Sequence, residues 1–381
     1  MCVRGRCAGG RIGVVQSRRM FPLRWIRALS TGVAAACLIA VAVAGAEPEE
    51  DRLAAEISRW SSLVAGETGT DPLLQDAKGA GEALLTQARE ALQSGRRLVA
   101  LERLAAVVQT FGSVQYVMSR PAAERQELPA FEAEWKRAGG ALRDVIDPDG
   151  RAAAAAGSIR PALARALAEI SVVQARESYH ASLEYGRNTE PQYGLYYLGA
   201  AHAQRGFVDI LHALPAPPPS SAPPLRSLRP DIDALQSRLL AAYRPPASIE
   251  RHGEFIVASA ALKEAREQDA AGHRHAALLR YLQAAQRTAM ITQTAPADAA
   301  AVGSNLEEFR ARLQGDADHS IARFFVERAE AALAAPGEEA AAAAIASEVL
   351  PRYFAALAPA PAPAPAAAAT VTVTLVRWPF T

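Results

Sequence analysis

The sequence predicts an all-α protein, with helical hairpins stacked as an irregular solenoid or bundle. Apolar residues recur at helical spacing over most of residues 47–357, which is the main signal of amphipathic helices. Hydrophobic residues make up 50% of the chain but aromatic residues only 6%, because much of the apolar content is alanine, the best helix former. Alanine buries little area, so we expect thin cores between closely packed helices.

Local signals place the first helices. The first helix has four apolar residues on one face and ends at Gly66. They are Leu53, Ile57, Trp60 and Val64. Asp71-Pro72 puts a capping residue before a proline, which is a common helix start. The helix that follows should break at Ser94-Gly95, and another should begin soon after.

Longer elements follow. An apolar stripe from Phe131 to Ile146 predicts one helix, stopped by the turn signal of residues 147–150. A long helix is expected from about Ile159 to Tyr185. Further predicted helices cover about residues 231–242 and 252–268 and continue to Leu357.

Two proline-rich stretches divide the chain. The run from Pro215 to Pro224 favours extended polyproline conformations and predicts a linker. Residues 358–369 alternate alanine and proline and predict a disordered spacer, followed by a strictly alternating, strand-like tail. The predicted segments are a signal (1–46), a helical domain (47–214), a linker (215–230), a second helical segment (231–357), the spacer (358–369) and the tail (370–381).

The first 46 residues have the three parts of an export signal. Basic residues precede an apolar run from about Gly32 to Val43, which closes on Ala44-Gly45-Ala46. The run is shorter than the roughly 20 residues that a membrane-spanning helix needs. We therefore expect cleavage after Ala46 and a mature protein in the periplasm or outside the cell. A retained N-terminal anchor is the alternative.

Two export routes remain open. The segment Ser17-Arg18-Arg19-Met20-Phe21 resembles the twin-arginine export motif, with Pro22 where leucine is usual. That route carries folded cargo, often with a cofactor already inserted. Alternatively, translation starts at Met20 and an ordinary signal directs unfolded export.

Removal of the signal changes the composition. All three cysteines, Cys2, Cys7 and Cys37, precede the cleavage site, so the mature chain has no disulfide or thiol chemistry. Residues 1–46 also contain seven arginines and no acidic residue, which leaves 34 basic and 40 acidic residues and a net charge of −6. Without a basic patch, nucleic acid is not an expected partner.

Two segments of the chain are similar to each other. Residues 88–101 align without gaps on residues 265–278, and each predicts a helix, a turn at Gly95 or Gly272, and a second helix. A third, partial copy begins at Leu198 and reaches a turn glycine at Gly206.

These segments resemble the tetratricopeptide-type helical hairpin. Its first-helix pattern matches at Leu198, Gly199, Ala201 and Gly206, and its second-helix pattern matches at Gly95, Ala100 and Leu101 and at Gly272, Ala277, Leu278 and Tyr281. No copy is complete and the spacing between copies is irregular. The resemblance implies a divergent stack of repeats, and an irregular bundle of similar hairpins is the alternative.

One helical pattern could bind a metal ion. Glu177 and His180 lie three residues apart, on the same side as Glu184, and paired Glu-x-x-His helices build di-iron carboxylate sites. The motif occurs once, with weaker analogues at Asp209–His212 and Asp316–His319. Surface charge and helix capping are the simpler interpretation, so no cofactor is predicted.

Enzyme signatures are missing from the sequence. No glycine-rich phosphate loop, Gly-x-Ser-x-Gly elbow or His-Glu-x-x-His helix occurs. His273 and His275 lie in or beside a predicted turn, where we expect exposed polar side chains. A non-enzymatic protein is therefore favoured, although convergent chemistry stays open.

Aromatic residues concentrate in one predicted hairpin. They are Tyr179, Tyr185, Tyr193, Tyr196, Tyr197 and Phe207. Tyrosine offers a large rigid area with a polar tip, which suits binding surfaces. Packing in the hairpin core is the alternative, and each interpretation can hold for different residues.

The functional hypothesis is an exported helical scaffold that binds a protein or peptide of the cell envelope through this hairpin. The first alternative is a metal-binding protein or enzyme using Glu177, His180 and Glu184. The second is an assembly subunit, in which residues 370–376 add a strand to a partner sheet. The sequence predicts neither the partner nor the oligomeric state.

Overall fold

Helices form wherever the sequence has helical periodicity. The computed structural model describes residues 52–147, 151–214, 222–245, 248–292 and 298–357, and within these residues it contains helices and no strand, which confirms the all-α prediction. The helices are α1 (Arg52–Gly66), α2 (Pro72–Gln93), α3 (Arg97–Met118), α4 (Leu128–Ala141), α5 (Arg143–Ile146), α6 (Arg151–Ser158), α7 (Ala162–Asn188), α8 (Pro191–Ala213), α9 (Arg229–Ala242), α10 (His252–Ala270), α11 (Arg274–Thr292), α12 (Ala299–Arg312), α13 (Ser320–Ala334), α14 (Glu339–Ala344) and α15 (Leu350–Leu357), with a 3₁₀ turn at Ile249–Arg251 and a π-helical segment at Ile345–Val349.

The sequence signals for the end of α1 and the start of α2 are confirmed by the structure. The four apolar residues of the first predicted helix are the buried residues of α1, which ends at Gly66. Asp71 caps α2, since its side chain accepts a hydrogen bond from the amide of Leu73 at 3.0 Å, and Pro72 is the first residue of the helix.

Two helix boundaries differ from the prediction. The stripe from Phe131 to Ile146 is split into α4 and α5 at Leu142, directly after Gly139-Gly140, because glycine is a poor helix former. The long helix α7 begins at Ala162 rather than at Ile159. Pro161 takes an extended conformation at its N-cap, and a proline disfavours helical geometry in the residue before it.

The two similar segments form hairpins with the same turn. In α2–α3, Gly95 adopts a φ of 74° and the amide of Arg96 donates to the carbonyl of Ala91. In α10–α11, Gly272 adopts a φ of 82° and the amide of His273 donates to the carbonyl of Gln268. Both follow the Schellman pattern, which requires a left-handed residue that glycine supplies at little cost.

The prediction that the third copy of the hairpin turns at Gly206 is wrong. Gly206 lies inside α8 and not at the end of a helix. A single glycine costs a helix only about 1 kcal/mol, and burial of the adjacent Phe207 and Val208 offsets that cost. The hairpin here is α7–α8 instead, and it turns at Thr189–Glu190.

The hairpins pack around one continuous apolar core. α8 packs on α3, α11 packs on α7, and α13 contacts both α3 and α7. The core therefore includes residues from both sides of the proline run, from Leu53 to Ala356. All-helical hairpin packing is compatible with a repeat-like fold.

Four buried or half-buried carboxylates cap the starts of distant helices. The pairs are Glu327 with Leu98 and Val99 of α3, Asp318 with Ala162 of α7, Asp269 with Leu228 before α9, and Glu169 with Ala276 of α11. The residues at the N-caps of α3, α7 and α9 make no side-chain capping bond of their own. The first four amides of a helix have no partner inside it, so these carboxylates satisfy them from elsewhere in the fold.

The last helical stretch, Glu339–Leu357, is long and apolar enough by composition to cross a membrane. Its inner face is packed in the protein core, with Ile345, Val349, Leu350 and Tyr353 each at most 2% exposed. Its π-helical segment ends at Val349, two residues before Pro351, whose missing amide interrupts the helical hydrogen bonds.

Several predictions fall outside the described residues. The signal of residues 1–46, most of the run 215–224, the spacer 358–369 and the tail 370–381 are among them. These predictions, and the division into two helical segments, stay predictions.

Candidate functional site

The predicted aromatic surface lies where α7 ends and α8 begins. Glu190 precedes α8 in an extended conformation and Pro191 opens the helix, so the two helices reverse direction over two residues. Four of the six predicted aromatic residues lie within about two helical turns of this reversal, on α7 and α8.

Two of the predicted surface residues belong to the core. Tyr179 is 6% exposed and its ring stacks on Trp135 of α4, with the ring centres 5.0 Å apart and the planes 16° apart. Phe207 is 2% exposed inside α8. For these two residues core packing holds, and neither side chain is available to a partner.

Helix α4 fixes the geometry of the hairpin end. Phe131 of α4 fits against Gly186 of α7 and Gly194 of α8, where an added Cβ would lie 2.3 Å and 2.5 Å from its ring. Only glycine at both positions allows the helices and the phenylalanine to approach so closely. An ion pair between Arg187 and Glu132, at 2.7 Å, closes the same contact at its exposed edge.

The remaining four tyrosines lie at the hairpin end and are here called the tyrosine cluster: Tyr185, Tyr193, Tyr196 and Tyr197. Tyr185 and Tyr193 are exposed, whereas Tyr196 is partly buried against the core. The rings of Tyr185 and Tyr197 stack with centres 4.6 Å apart, and Tyr196 meets Tyr197 edge to face at 5.9 Å. Tyr185 is 42% exposed and Tyr193 is 48% exposed. The exposed ring of Tyr185 is held by its stacking on Tyr197, and an aromatic ring that is already ordered offers contact area that loses little entropy on binding.

The stacked pair also shares a hydrogen bond. Burial and a hydrogen bond to Tyr185 raise the pKa of the Tyr197 hydroxyl to about 12. The Tyr197 hydroxyl therefore stays protonated at physiological pH.

A small pocket of about 290 Å³ lies between α4 and α8. Leu195, between two of the tyrosines on α8, lines one wall, and Ala130 and Ala133 of α4 line another. Arg120 and Arg137 also reach the pocket.

Three of the four charged side chains that line this pocket are paired with one another. Burial alone would raise the pKa of Glu134, but hydrogen bonds from Arg137 and Tyr116 and the charge of Arg120 lower it to about 2. The same carboxylate binds both arginines. Since Glu134 stays ionised, it partly neutralises the two arginines of this pocket.

The candidate metal residues line the outer side of α7. Glu177, His180 and Glu184 are all exposed. Burial raises the pKa of Glu177, and the nearby carboxylates of Glu267 and Glu264 on α10 raise it further. In the parts of the chain that the structure describes, no three His, Asp or Glu side chains are grouped so that they could hold a metal ion.

The weaker analogues make other contacts. Asp209 pairs with Arg205 at 2.5 Å, and the Nδ1 atom of His319 lies 2.9 Å from the hydroxyl of Tyr353. These contacts use the charged and polar atoms within the protein itself.

One of the two histidines predicted to be exposed near the turn, His275, is buried. His275 is 9% exposed, in the first turn of α11, so the expectation of an exposed side chain is wrong for this residue. Residues packed on α11 from α7 cover it, and no local sequence signal reports contacts between helices so far apart in the chain.

Comparison with known protein families, with curated proteins and with solved structures finds no match to this chain.

Proposed function

We propose that this protein is an exported helical scaffold of the cell envelope that binds a protein or peptide through the tyrosine cluster. The observation that carries the proposal is the pair of nearly half-exposed rings, Tyr185 and Tyr193, in a chain with only 6% aromatic residues. Tyrosine is enriched at the energetic centres of protein interfaces.

The surroundings of the cluster support this role. Phe131 and the glycines around it hold the ends of α7 and α8 in a fixed arrangement, so a partner would meet a rigid surface. A rigid surface with exposed aromatic rings suits contact with an anchoring side chain of a partner.

Export is supported by the sequence of residues 1–46. The absence of cysteine after Ala46 and a mature net charge of −6 are consistent with a protein that functions outside the cytoplasm without binding nucleic acid. N-terminal sequencing of the mature protein from fractionated cells should find Glu47 as the first residue. A mature protein in the cytoplasm that starts at Met1 or Met20 would contradict the export proposal.

A site-specific cross-linker tests the binding surface. A photoreactive phenylalanine analogue replaces Tyr193, and in a matched variant it replaces Leu240, which is 62% exposed on α9. In cells, the first variant should give a discrete cross-linked product and the second should not. Substitution of Tyr185→Ser in the first variant should weaken the product, because it removes the stacking partner of Tyr197.

Two outcomes would contradict the binding proposal. Equal cross-linking from both positions would indicate nonspecific contact, and no product from Tyr193 would indicate that the cluster has no partner. Stoichiometric iron or manganese in untagged protein would favour the metal-binding alternative instead.

A further inference from the structure

Three helix N-termini are joined by two buried carboxylates. Asp318 accepts hydrogen bonds from the amide of Ala162, at the start of α7, and from the amide of Ser320, at the start of α13. Glu169 of α7 accepts one from the amide of Ala276 at the start of α11, at 3.0 Å. Asp318 is 8% exposed and Glu169 is 3% exposed. We call this arrangement the three-helix junction.

A buried histidine lies at the same junction without a hydrogen-bond partner. His275 is nine-tenths buried and neither of its ring nitrogens is bonded. Burial lowers the pKa of His275, and the nearby charge of Arg165 lowers it too, whereas Glu169 and Asp318 act in the opposite direction. The imidazole is therefore neutral at pH 7, with two acidic side chains close to it.

Every charged group around the ring is engaged elsewhere. On α7, Arg165 binds Glu169 with 2.9 Å between the nitrogen and the oxygen. On α10, Asp269 accepts hydrogen bonds from Ser227 and Arg274. Only Glu169 and Asp318 combine a negative charge with a position that stabilises the charged ring.

We propose that His275 is a proton-sensitive switch of the three-helix junction, in which the imidazolium formed in mild acid attracts Glu169 and Asp318 away from the amides of Ala276 and Ala162. The imidazolium has two N–H donors, and its hydrogen bonds to carboxylates are stronger than those of a neutral amide. Protonation thus exchanges two helix caps for two ion pairs and loosens the starts of α11 and α7.

The switch predicts a pH window and a direction. Since the pKa of His275 is lower in the folded protein than in the unfolded chain, the folded protein resists protonation. The contribution of His275 to stability is therefore present above the ordinary histidine pKa of about 6.5 and is lost as the pH falls below it.

Hydrogen exchange of the full mature protein tests the switch. Exchange is measured at pH 7.5 and pH 5.5, corrected for the intrinsic rate, for peptides that contain residues 162–163 and 276. In the wild type we expect about a tenfold loss of protection at the lower pH, the factor that corresponds to about 1.4 kcal/mol. In His275→Gln protection should not change with pH.

His202→Gln is the matched control. His202 is also shielded from solvent, and burial lowers its pKa too, but it lies on α8 and stacks on Tyr116. This variant should lose protection at the junction as the wild type does. Equal loss in the wild type and His275→Gln, or no loss in the wild type, would overturn the proposal; the second result is what an ordered water bound to a neutral His275 would produce.

A titration of the wild type keeps the test independent of the variants. The imidazole signals of His275 in NMR spectra should titrate with a midpoint below 6.5, and the exchange rates at Ala162 and Ala276 should rise over the same pH interval. A ring that titrates without any change at these amides would also overturn the switch.

Discussion

The carboxylate of Glu327 on α13 accepts hydrogen bonds from the amides of Leu98 and Val99, which lie 229 and 228 residues earlier in the chain at the start of α3. In the second hairpin, Glu169 of α7 makes the same kind of contact with Ala276. Val99 and Ala276 are equivalent positions in the aligned hairpins. Each of the two similar hairpins therefore has the start of its second helix capped by a glutamate from a helix outside that hairpin.

Replacement of Glu327 with glutamine should change the pH dependence of stability. Burial raises the pKa of Glu327 to about 7, although the two amide hydrogen bonds act to lower it. The folded protein thus binds this proton more tightly than the unfolded chain, and the resulting stability is lost as the pH rises through 7. Glutamine keeps an acceptor without a charge, so Glu327→Gln should gain stability relative to the wild type between pH 5 and pH 8.

Urea unfolding at several pH values measures this difference. Glu308→Gln, at an exposed position of α12, is the control for loss of one negative charge. If the curves of the wild type and Glu327→Gln stay parallel from pH 5 to pH 8, the glutamate does not titrate in that interval and the assignment is wrong.

Replacement of Asp269 with asparagine should have the opposite pH dependence. Burial alone would raise the pKa of Asp269, but hydrogen bonds from Ser227, Arg274 and the amide of Leu228 lower it below its usual value. Its stabilising contribution is present above the unfolded pKa and is lost as the pH falls through the folded pKa. Asp269→Asn should cost about 1–3 kcal/mol at pH 7, and this gap should narrow near pH 3. The free energies of unfolding of the wild type and Asp269→Asn at pH 7 and pH 3 test this prediction. If the difference between the two proteins is the same at both pH values, the charge of Asp269 does not stabilise the fold.

Two glycines of the same helix should differ sharply when changed to alanine. At Gly194, a Cβ would lie 2.5 Å from the ring of Phe131 and 2.7 Å from the Cα of Gly186. At Gly206, no atom lies within 4 Å of the added Cβ. Gly194→Ala should cost about 1–3 kcal/mol through overpacking, whereas Gly206→Ala should stabilise by roughly 0.5–1 kcal/mol because alanine favours the helix. Similar melting temperatures for both variants would contradict the close approach of α4 to the hairpin.

The two turn glycines should behave alike. Gly95 and Gly272 both have positive φ values and open space around them, so backbone strain alone penalises a side chain there. Gly95→Ala and Gly272→Ala should each cost about 1–2 kcal/mol. Gly79→Ala, at an open helical position of α2, should instead stabilise by roughly 0.5–1 kcal/mol. Thermal unfolding of the three variants is the measurement, and a neutral result at either turn would contradict the shared geometry.

Signals that act within a few residues were readable in the sequence. Asp71-Pro72 starts α2 as predicted, and Gly95 and Gly272 turn their hairpins, because capping bonds and left-handed backbone depend on neighbours in the chain. Gly206 shows the limit of such signals, since a glycine whose neighbours are buried in the core need not end a helix.

The candidate site was readable only in part. The tyrosine concentration located the hairpin end, but nothing in the sequence separated Tyr179, covered by Trp135 of α4, from the exposed Tyr193. The sequence also did not show that Glu169 and Glu327 cap the starts of other helices. Glu169 and Glu327 look like ordinary charges on helices until the fold brings other helix starts against them.

The sequence alone determined that the chain forms helices, where most of them start and stop, and that two hairpins share one turn, because these properties arise from local backbone preferences and a repeating apolar pattern. Tertiary structure alone decided which tyrosines stay at the surface, that Phe131 wedges between two glycines, and that carboxylates cap helices more than a hundred residues away. Those relationships depend on which helix faces meet. The alanine-rich faces of this protein are too alike for their pairing to be read from the sequence.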